Sequence, residues 1–311
     1  MNLAPIILFV YNRPLHTQQT LMALENNEFA QDSVLYIYAD GIKDDANVEE
    51  NKRIHEVRNL IKKEWKFNKI NIIERDKNWG LAQNVIDGIT TMFTEYDKII
   101  VLEDDIVTSP HFISYMNTAL ARYENEFVVK QVSAFAFDLD VKKSNSAYFM
   151  PLTTTWGWAT WKRVWDETNF NPQDYVVLKT NAKLRHQFNL EGNYDYSSML
   201  ITQMESQNIS SWGIRFCWSI FKNKGLVLHP DYSLVHNIGF DNSGVHCGNS
   251  NLANTKNWNP NYSIITYPID IKIDQNKFKQ LKIYLGNRIG VIGIGLKIIN
   301  KCKKFIISLL R

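Results

Sequence analysis

The sharpest chemical feature of this 311-residue sequence is a run of three acids, Glu103-Asp104-Asp105, directly after the apolar stretch Lys-Ile-Ile-Val-Leu at 98–102. Three successive carboxylates at the end of a buried strand repel one another, and burial raises their pKa values. A divalent cation relieves that repulsion, and Mg2+ or Mn2+ prefers carboxylate and phosphate oxygens. If extended geometry persists through the run, Glu103 and Asp105 point to one side and Asp104 to the other. One acid could then hold metal while its neighbour bonds elsewhere. Three solvated acids on a loop are the plainer reading.

Such acids must be positioned, and the first 140 residues read as alternating strand and helix. Strands are expected at 5–11, 33–39, 70–73 and 98–102. Helices are expected at 17–24, at 47–63 with Ile54, Val57 and Ile61 on one face, at 81–93 with Val85, Ile89 and Phe93 inward, and at 112–123. This alternation predicts a mostly parallel sheet with helices on both sides, where ligands bind beyond the carboxyl ends of the strands. Those four ends read Asn12-Arg13-Pro14, Asp40-Gly41, Asp76-Lys77-Asn78-Trp79-Gly80 and the triple acid. Any one of them is ordinarily a turn or helix cap; four on one rim argue for a binding site. Neither Gly-x-Gly-x-x-Gly nor Gly-x-x-x-x-Gly-Lys-Ser/Thr occurs, so a dinucleotide fold or P-loop has no support.

The second half is richer in aromatics. Trp158, Trp161 and Trp165 recur at helical spacing and predict a helix with a buried Trp face; Trp156 and Gly157, just ahead of it, are candidate ligand contacts. Helices are expected at 194–207 and 212–224, and a short strand at 227–228. Residues 236–246 form a polar, Gly-containing loop long enough to close over a site, with His246 a candidate metal or phosphate ligand. The expected organisation is an α/β half (1–143), an aromatic-rich half of the same domain (144–274) and a tail (275–311).

Composition narrows the class. With 45% hydrophobic and 22% charged residues the chain is neither disordered nor collagen-like. Its three cysteines match no disulfide framework or Cys-x-x-Cys metal site, which points to a reducing, cytoplasmic setting. No basic n-region precedes the first apolar run, and no segment reaches the ~20 apolar residues that span a bilayer. Nine of the 35 Lys and Arg fall in the tail without a single acid, so the other 274 residues carry 26 bases against 32 acids, a charge of −6. That acidic body has no basic stripe for nucleic acid. Residues 289–307 mix Ile, Val, Leu and Phe with Lys297, Lys301, Lys303 and Lys304, a composition that in helical form lies on an anionic bilayer surface. A terminal helix packed on the body is the alternative, and Gly286, Gly290, Gly293 and Gly295 each weaken a helix by ~1 kcal/mol relative to Ala.

Over roughly residues 4–250 the sequence resembles GT-A (Rossmann-like) glycosyltransferases, being similar to the N-acetylglucosaminyltransferase I type and to bacterial sugar transferases of surface polysaccharide synthesis. Asn12-Arg13, Asp40 and Glu103-Asp104-Asp105 carry the resemblance; Trp156-Gly157-Trp158 and the 236–246 loop support it. It implies an inverting, Mn2+- or Mg2+-dependent hexosyl- or N-acetylhexosaminyltransferase that uses a UDP-sugar donor and a glycan or lipid-linked acceptor; the composition of the tail, outside the resemblance, adds the expectation of a peripheral position on the inner face of the cell membrane. It implies that Arg13 contacts the diphosphate, Asp40 reads the uracil, Asp104 bonds the ribose and Asp105 ligates the metal. Asn12, Asn78, Gly80, Asn84, Glu103, Trp156, Gly157 and Trp212 then belong to the substrate site. The family places an aspartate, its general base, just before a Trp that opens an acceptor-side helix; here Ser211 precedes Trp212. A serine cannot serve unaided as a base near pH 7, so Asp195 and Glu205 in the preceding helix are the substitutes. Two rival functions share some of these features. A sugar-phosphate nucleotidyltransferase would show a Gly-rich phosphate loop where this chain has Asn-Arg-Pro, and a non-catalytic nucleotide- or glycan-binding module would explain Ser211.

Overall fold

A computed structural model of the chain describes residues 2–206, 211–241, 257–264 and 266–286. Four strands, β1 (Ile6–Val10), β2 (Val34–Ala39), β3 (Lys69–Glu74) and β4 (Lys98–Glu103), pair in parallel in the order β3-β2-β1-β4. β1 is buried at every position, as a central parallel strand without a polar face must be. Helices α1 (Pro14–Glu25), α2 (Val48–Ile61) and α3 (Leu81–Met92) connect these strands, and Leu21, Val57, Ile61, Val85 and Ile89 join the same core. The start of α2 is set locally: the Asn47 side chain accepts the Glu50 amide at 2.8 Å, and Glu49 and Glu50 sit at the positive end of the helix dipole.

The sheet continues into the second half of the chain. β8 (Trp158–Trp161) runs antiparallel between β4 and β6 (Val129–Ser133), β9 (Leu226–Pro230) lies parallel to β6, and β7 (Ala147–Met150) closes the edge. The result is an eight-stranded, mostly parallel sheet in the order β3-β2-β1-β4-β8-β6-β9-β7. Residues on both sides of position 143 therefore share one sheet and one core. A separate two-stranded ribbon pairs β5 (Ile106–Thr108) with β10 (Val235–Asn237), Asn237 opposite Ile106, and α4 (Phe112–Arg122) follows β5. Short helices α5 (Lys162–Asp166), α6 (Val177–Thr180) and α7 (Ala182–Phe188) lead to α8 (Tyr196–Glu205) and α9 (Trp212–Lys222).

The helix expected through Trp158, Trp161 and Trp165 is instead β8 followed by α5. A separation of three residues reads as one face of a helix, but in a strand it places side chains on opposite faces. Trp158 stacks on Trp212 and packs at a tilt against Phe216, while the Trp161 Nε1 donates to the Leu120 carbonyl of α4 at 3.2 Å. Burial was legible; the period was not.

The tail begins as a helix over residues 275–286. Leu281 and Leu285 pack against Leu139, Tyr148, Met150 and Leu152, and two of its lysines are committed within the chain, Lys277 to Asp231 and Lys282 to Glu191. Those two charges are not free to face a bilayer, which corrects the reading of the whole 275–311 stretch as a surface-seeking segment. Residues 287–311 lie outside the described residues, and no helix among the described residues is long and apolar enough to cross a membrane.

One buried group gives the core a pH dependence. His229 on β9 is fully enclosed, with Nε2 2.9 Å from the Leu152 carbonyl, and burial pushes its pKa from 6.5 down to about 4. Below pH 6.5 the unfolded chain takes up a proton that the folded chain refuses, so this contribution is intact above 6.5 and is lost as pH falls to 4. The expected loss is about 3 kcal/mol, read from urea melts at pH 7 and pH 4; in His229→Gln that part of the acid sensitivity is absent.

Candidate functional site

The carboxyl ends of β3, β2, β1 and β4 form one rim, and the triple acid lies at its β4 end, next to Arg13 after β1. β4 stops at Glu103, and Asp104 and Asp105 occupy the turn into β5. The strand alternation expected through the run is thereby broken, and both aspartates meet one guanidinium. Arg13 Nη1 donates to Asp105 Oδ2 at 3.0 Å, and its Nη2 donates to Asp104 Oδ1. Arg13 is placed by its backbone: its carbonyl accepts the Thr17 amide and hydroxyl at 2.9 and 2.8 Å, which starts α1. Thr20 of α1 donates to the Asp104 carbonyl at 2.8 Å, fastening helix to turn.

Electrostatics follow from this enclosure. Burial, reinforced by Asp105 and Asp104 and opposed by Arg13, pushes Glu103 up to about 8. Burial also lifts Asp104, to about 6, with Arg13 pulling against it. For Arg13 itself burial works against the charge, and the two carboxylates outweigh it, holding the guanidinium above its usual range. Among the described residues the Glu103 carboxyl has no hydrogen-bond partner, and neither has Asp105 Oδ1.

The segment after β10 covers this pair. Ile238 donates its amide to the Asp105 carbonyl at 2.9 Å, and Gly239 to the Asn237 side chain at 2.8 Å. A Cβ on Gly239 would collide with Asp105 Oδ2 and lie 2.9 Å from Arg13 Nη1. Only glycine lets the backbone approach this closely. His16 of α1 lies 3.2 Å from Asp241, just beyond. The sequence singled out residues 236–246 as a covering loop, but not Gly239 as the residue that touches the acids.

Asp40 has a different task from the one the resemblance implies. Its Oδ1 accepts the amides of Gly41 and Trp79 at 2.9 and 2.8 Å; its Oδ2 accepts the Gly80 amide at 3.0 Å and the Asn78 side chain at 3.1 Å. An ionised carboxylate has about four acceptor positions, so none remains for a base edge. Asp40 instead pins the 78–80 loop to the end of β2, with Asn78 also donating to the Gly41 carbonyl at 2.9 Å. Asp40→Asn turns a donor toward donors and is expected to cost about 2–4 kcal/mol, measured by urea denaturation. Unchanged stability would refute this role.

The neighbouring candidates are likewise tied together. Asn84 accepts from Arg75 Nε at 3.1 Å, and Arg75 also pairs with Asp87 and lies 4.3 Å from the Trp79 ring centroid. Asn12 and Tyr11 both donate to Glu50 Oε1 at 3.1 Å. Glu50 and Arg75 have no local sequence signal as site residues, because only the packing of α2 and β3 against the rim brings them there.

Several second-half candidates fall elsewhere. Asp195 caps α8, accepting the Ser198 amide at 3.1 Å, and Glu205 pairs with Lys179 and with the Tyr175 hydroxyl. Among the described residues neither contacts a rim residue, so the structure does not bring either of them to Arg13, Asp104 and Asp105. Ser211 donates its amide to the Gln203 side chain and stands at the N-cap position of α9 without a side-chain capping bond. Trp212 is buried in a stack with Trp158, 5.3 Å between ring centroids, and so is a core residue. Gly157 (φ +63°) is enclosed by Val235, Phe112 and Leu102, which makes it a packing glycine. Trp156 is half-buried, edge-on to Phe135 and Phe240, and remains beside the covering segment. His246 lies outside the described residues.

No protein-family model and no curated protein matches the sequence. Among solved structures the chain is similar to a UDP-glucose pyrophosphorylase in complex with UDP-glucose, at 9% identity over 73% of this chain and 90% of that one, with a TM-score of 0.35. The apo form of a UDP-glucose pyrophosphorylase gives a TM-score of 0.36 at the same identity and coverage. The chemistry of the rim therefore rests on its own residues.

Among the described residues no three His, Cys, Asp or Glu side chains converge as a metal cage. Mg2+, and Mn2+ with it, is commonly held by one or two carboxylates plus substrate phosphates rather than by protein alone. Asp105, with Oδ1 unbonded among the described residues and a turn that aims it at the rim, fits a cation that arrives with phosphate.

Proposed function

We propose that this protein transfers a sugar from a nucleotide donor, with UDP as the nucleotide, to a hydroxyl of a glycan or lipid-linked acceptor in surface polysaccharide synthesis. The observation that carries this reading is the joining of Arg13, from the end of β1, to Asp104 and Asp105, from the end of β4, on the rim that also holds the Asp40-pinned loop. A departing nucleoside diphosphate develops negative charge. Arg13 matches its oxygens with a two-pronged donor, and the first turn of α1 has no side-chain cap on its amides. Asp105 would hold Mn2+ or Mg2+, which when bound supplies further charge neutralisation at the leaving group. Asp104 would accept from a ribose hydroxyl, with Glu103 beside it in the substrate site. Discrimination of the base passes from the Asp40 carboxylate to the backbone it fixes at 78–80, with Trp79 beside it. Gly239 and Trp156 close the site from the acceptor side and exclude water from it.

The deciding experiment incubates the protein with UDP-glucose, UDP-galactose, UDP-N-acetylglucosamine and UDP-N-acetylgalactosamine in Mn2+, with and without chelator, and follows UDP. Chelator-sensitive release from one donor, raised by acceptor, is expected. No release from any donor, or pyrophosphate release from UTP and a sugar 1-phosphate instead, refutes the reading. Residues 287–311 are proposed to keep the enzyme near a lipid-linked acceptor. Truncation after Gly286, which spares the packed helix, is expected to abolish sedimentation with anionic liposomes; unchanged sedimentation excludes that role.

A further inference from the structure

We infer that Arg13 is a built-in competitor of the cation, so that this protein holds Mn2+ or Mg2+ tightly only after a diphosphate-bearing ligand has drawn the guanidinium off Asp105. The inference rests on the proposed reading of the rim as a cation-and-diphosphate site, and not on sugar transfer.

Three observations meet at one oxygen. Asp105 Oδ2 accepts Arg13 Nη1 at 3.0 Å, and the same guanidinium holds Asp104, with side-chain exposures of 15% for Arg13, 5% for Asp104 and 7% for Asp105. The Gly239 backbone lies so close beside this contact that a Cβ would strike that oxygen and also lie 2.9 Å from Arg13 Nη1. Two of the three carboxylates thus already share a fixed cation that cannot lose its proton. A divalent ion coming to Asp105 meets a guanidinium within bonding distance of the same carboxylate, and the repulsion between the two is strong in a poorly hydrated site. Oδ2 is taken by the guanidinium and crowded by Gly239, and an ion at the remaining Oδ1 would share one carboxylate with a fixed positive charge, so the cation is held only weakly while Arg13 stays.

A diphosphate removes the conflict. It offers the guanidinium a doubly charged, bidentate partner, and Arg13 stands directly before the uncapped first turn of α1, where an anion is favoured. Once the guanidinium moves to phosphate, Asp105 is released to the cation, and the cation in turn neutralises the phosphates. Linkage makes this reciprocal: whatever factor the diphosphate adds to cation affinity, the cation adds to diphosphate affinity.

The test is Mn2+ binding to the full chain, followed by the electron paramagnetic resonance of free Mn2+. Wild-type protein is expected to bind Mn2+ weakly alone and about tenfold or more tightly with UDP, after allowance for the Mn–UDP complex in solution; UMP, which has no diphosphate, produces no such gain. Arg13→Met is expected to bind Mn2+ without nucleotide about tenfold more tightly than wild type, whereas Arg13→Lys, which keeps a cation there, stays weak. Equal Mn2+ affinity of the wild type with and without UDP overturns the inference, as does a folded Arg13→Met that binds no more tightly. If Arg13→Met does not fold, the two wild-type titrations decide alone. Coupled titrations with no transfer from any UDP-sugar would overturn the proposed function and leave this inference standing.

Discussion

Asp105→Asn is expected to slow UDP release from the donor sugar by about 100- to 1000-fold, the scale seen when one preorganised electrostatic partner of a developing charge is removed. The substitution is chosen to separate charge from shape. An asparagine oxygen can still accept the 3.0 Å bond from Arg13 Nη1, so the clamp at the rim survives while the anionic ligand is gone. Stability is expected to hold or rise. Glu103 is pushed up to about 8 by burial and then by Asp105 and Asp104, so a neutral residue at 105 eases the burden on it. The sign follows from linkage: an acid raised in the folded state destabilises the fold above its unfolded value near 4.5, most fully above 8. The gain in the variant is therefore largest near pH 9 and vanishes near pH 4, where Glu103 is protonated folded and unfolded alike. Initial rates and thermal melts across that range check both halves. Turnover equal to wild type would remove Asp105 from the chemistry, and a melting temperature that falls at every pH would remove the repulsion argument. A rate loss with retained or increased stability is the pattern of a site held under electrostatic stress for function.

Why some of the site was legible and some was not has a physical explanation. Arg13, Asp104 and Asp105 directly follow long apolar strands, and in a parallel sheet all such ends share one rim; sequence position alone brought them together. The turn that lets one guanidinium reach both aspartates is a local break in strand geometry that an acidic run does not announce. Asp40 lies on the rim as its sequence position predicts, but its role as a pin depends on how the 78–80 loop after the neighbouring β3 folds back onto it, which no local pattern announces. Asp195 and Glu205 were candidates because they lie close to Ser211 in sequence, and α7 and α8 turn their carboxylates to caps and lysines of their own neighbourhood. The Trp segment failed for another reason: a spacing of three is shared by one helix face and two strand faces, and pairing of Trp158 with Val101 and of Trp161 with Lys98 settles the matter. A strand alongside β4 could not be read from residues 158–161 without knowing that β4 had an open edge.

Lys277→Met is expected to cost about 3–5 kcal/mol, the scale of breaking a buried ion pair on one side. Asp231, whose side chain is 1% exposed, sends Oδ1 to Lys277, while its Oδ2 accepts the Ser144 amide and hydroxyl at 2.9 Å each and the Ser146 hydroxyl at 3.0 Å. The ammonium also lies 4.0 Å from the centroid of the Tyr148 ring. Removing the lysine leaves a buried carboxylate with neutral donors only, too few to replace a full charge. The cost should therefore depend on the charge left behind more than on the packing that the lysine stem provided. Adding Asp231→Asn to Lys277→Met tests that: the amide oxygen keeps the serine donors, the thioether packs on Tyr148, and at least half of the lost stability should return in urea melts. If the double variant is as unstable as the sum of its parts, the pair is not coupled, and the packing of Leu281 and Leu285 must hold the helix on its own. If the recovery is seen, the 275–286 helix is an integral part of the body, locked by charge at one end and by leucines at the other. Any membrane affinity then belongs to residues 287–311, which is why truncation after Gly286 is the informative cut and truncation before Gln275 would unfold what it was meant to probe.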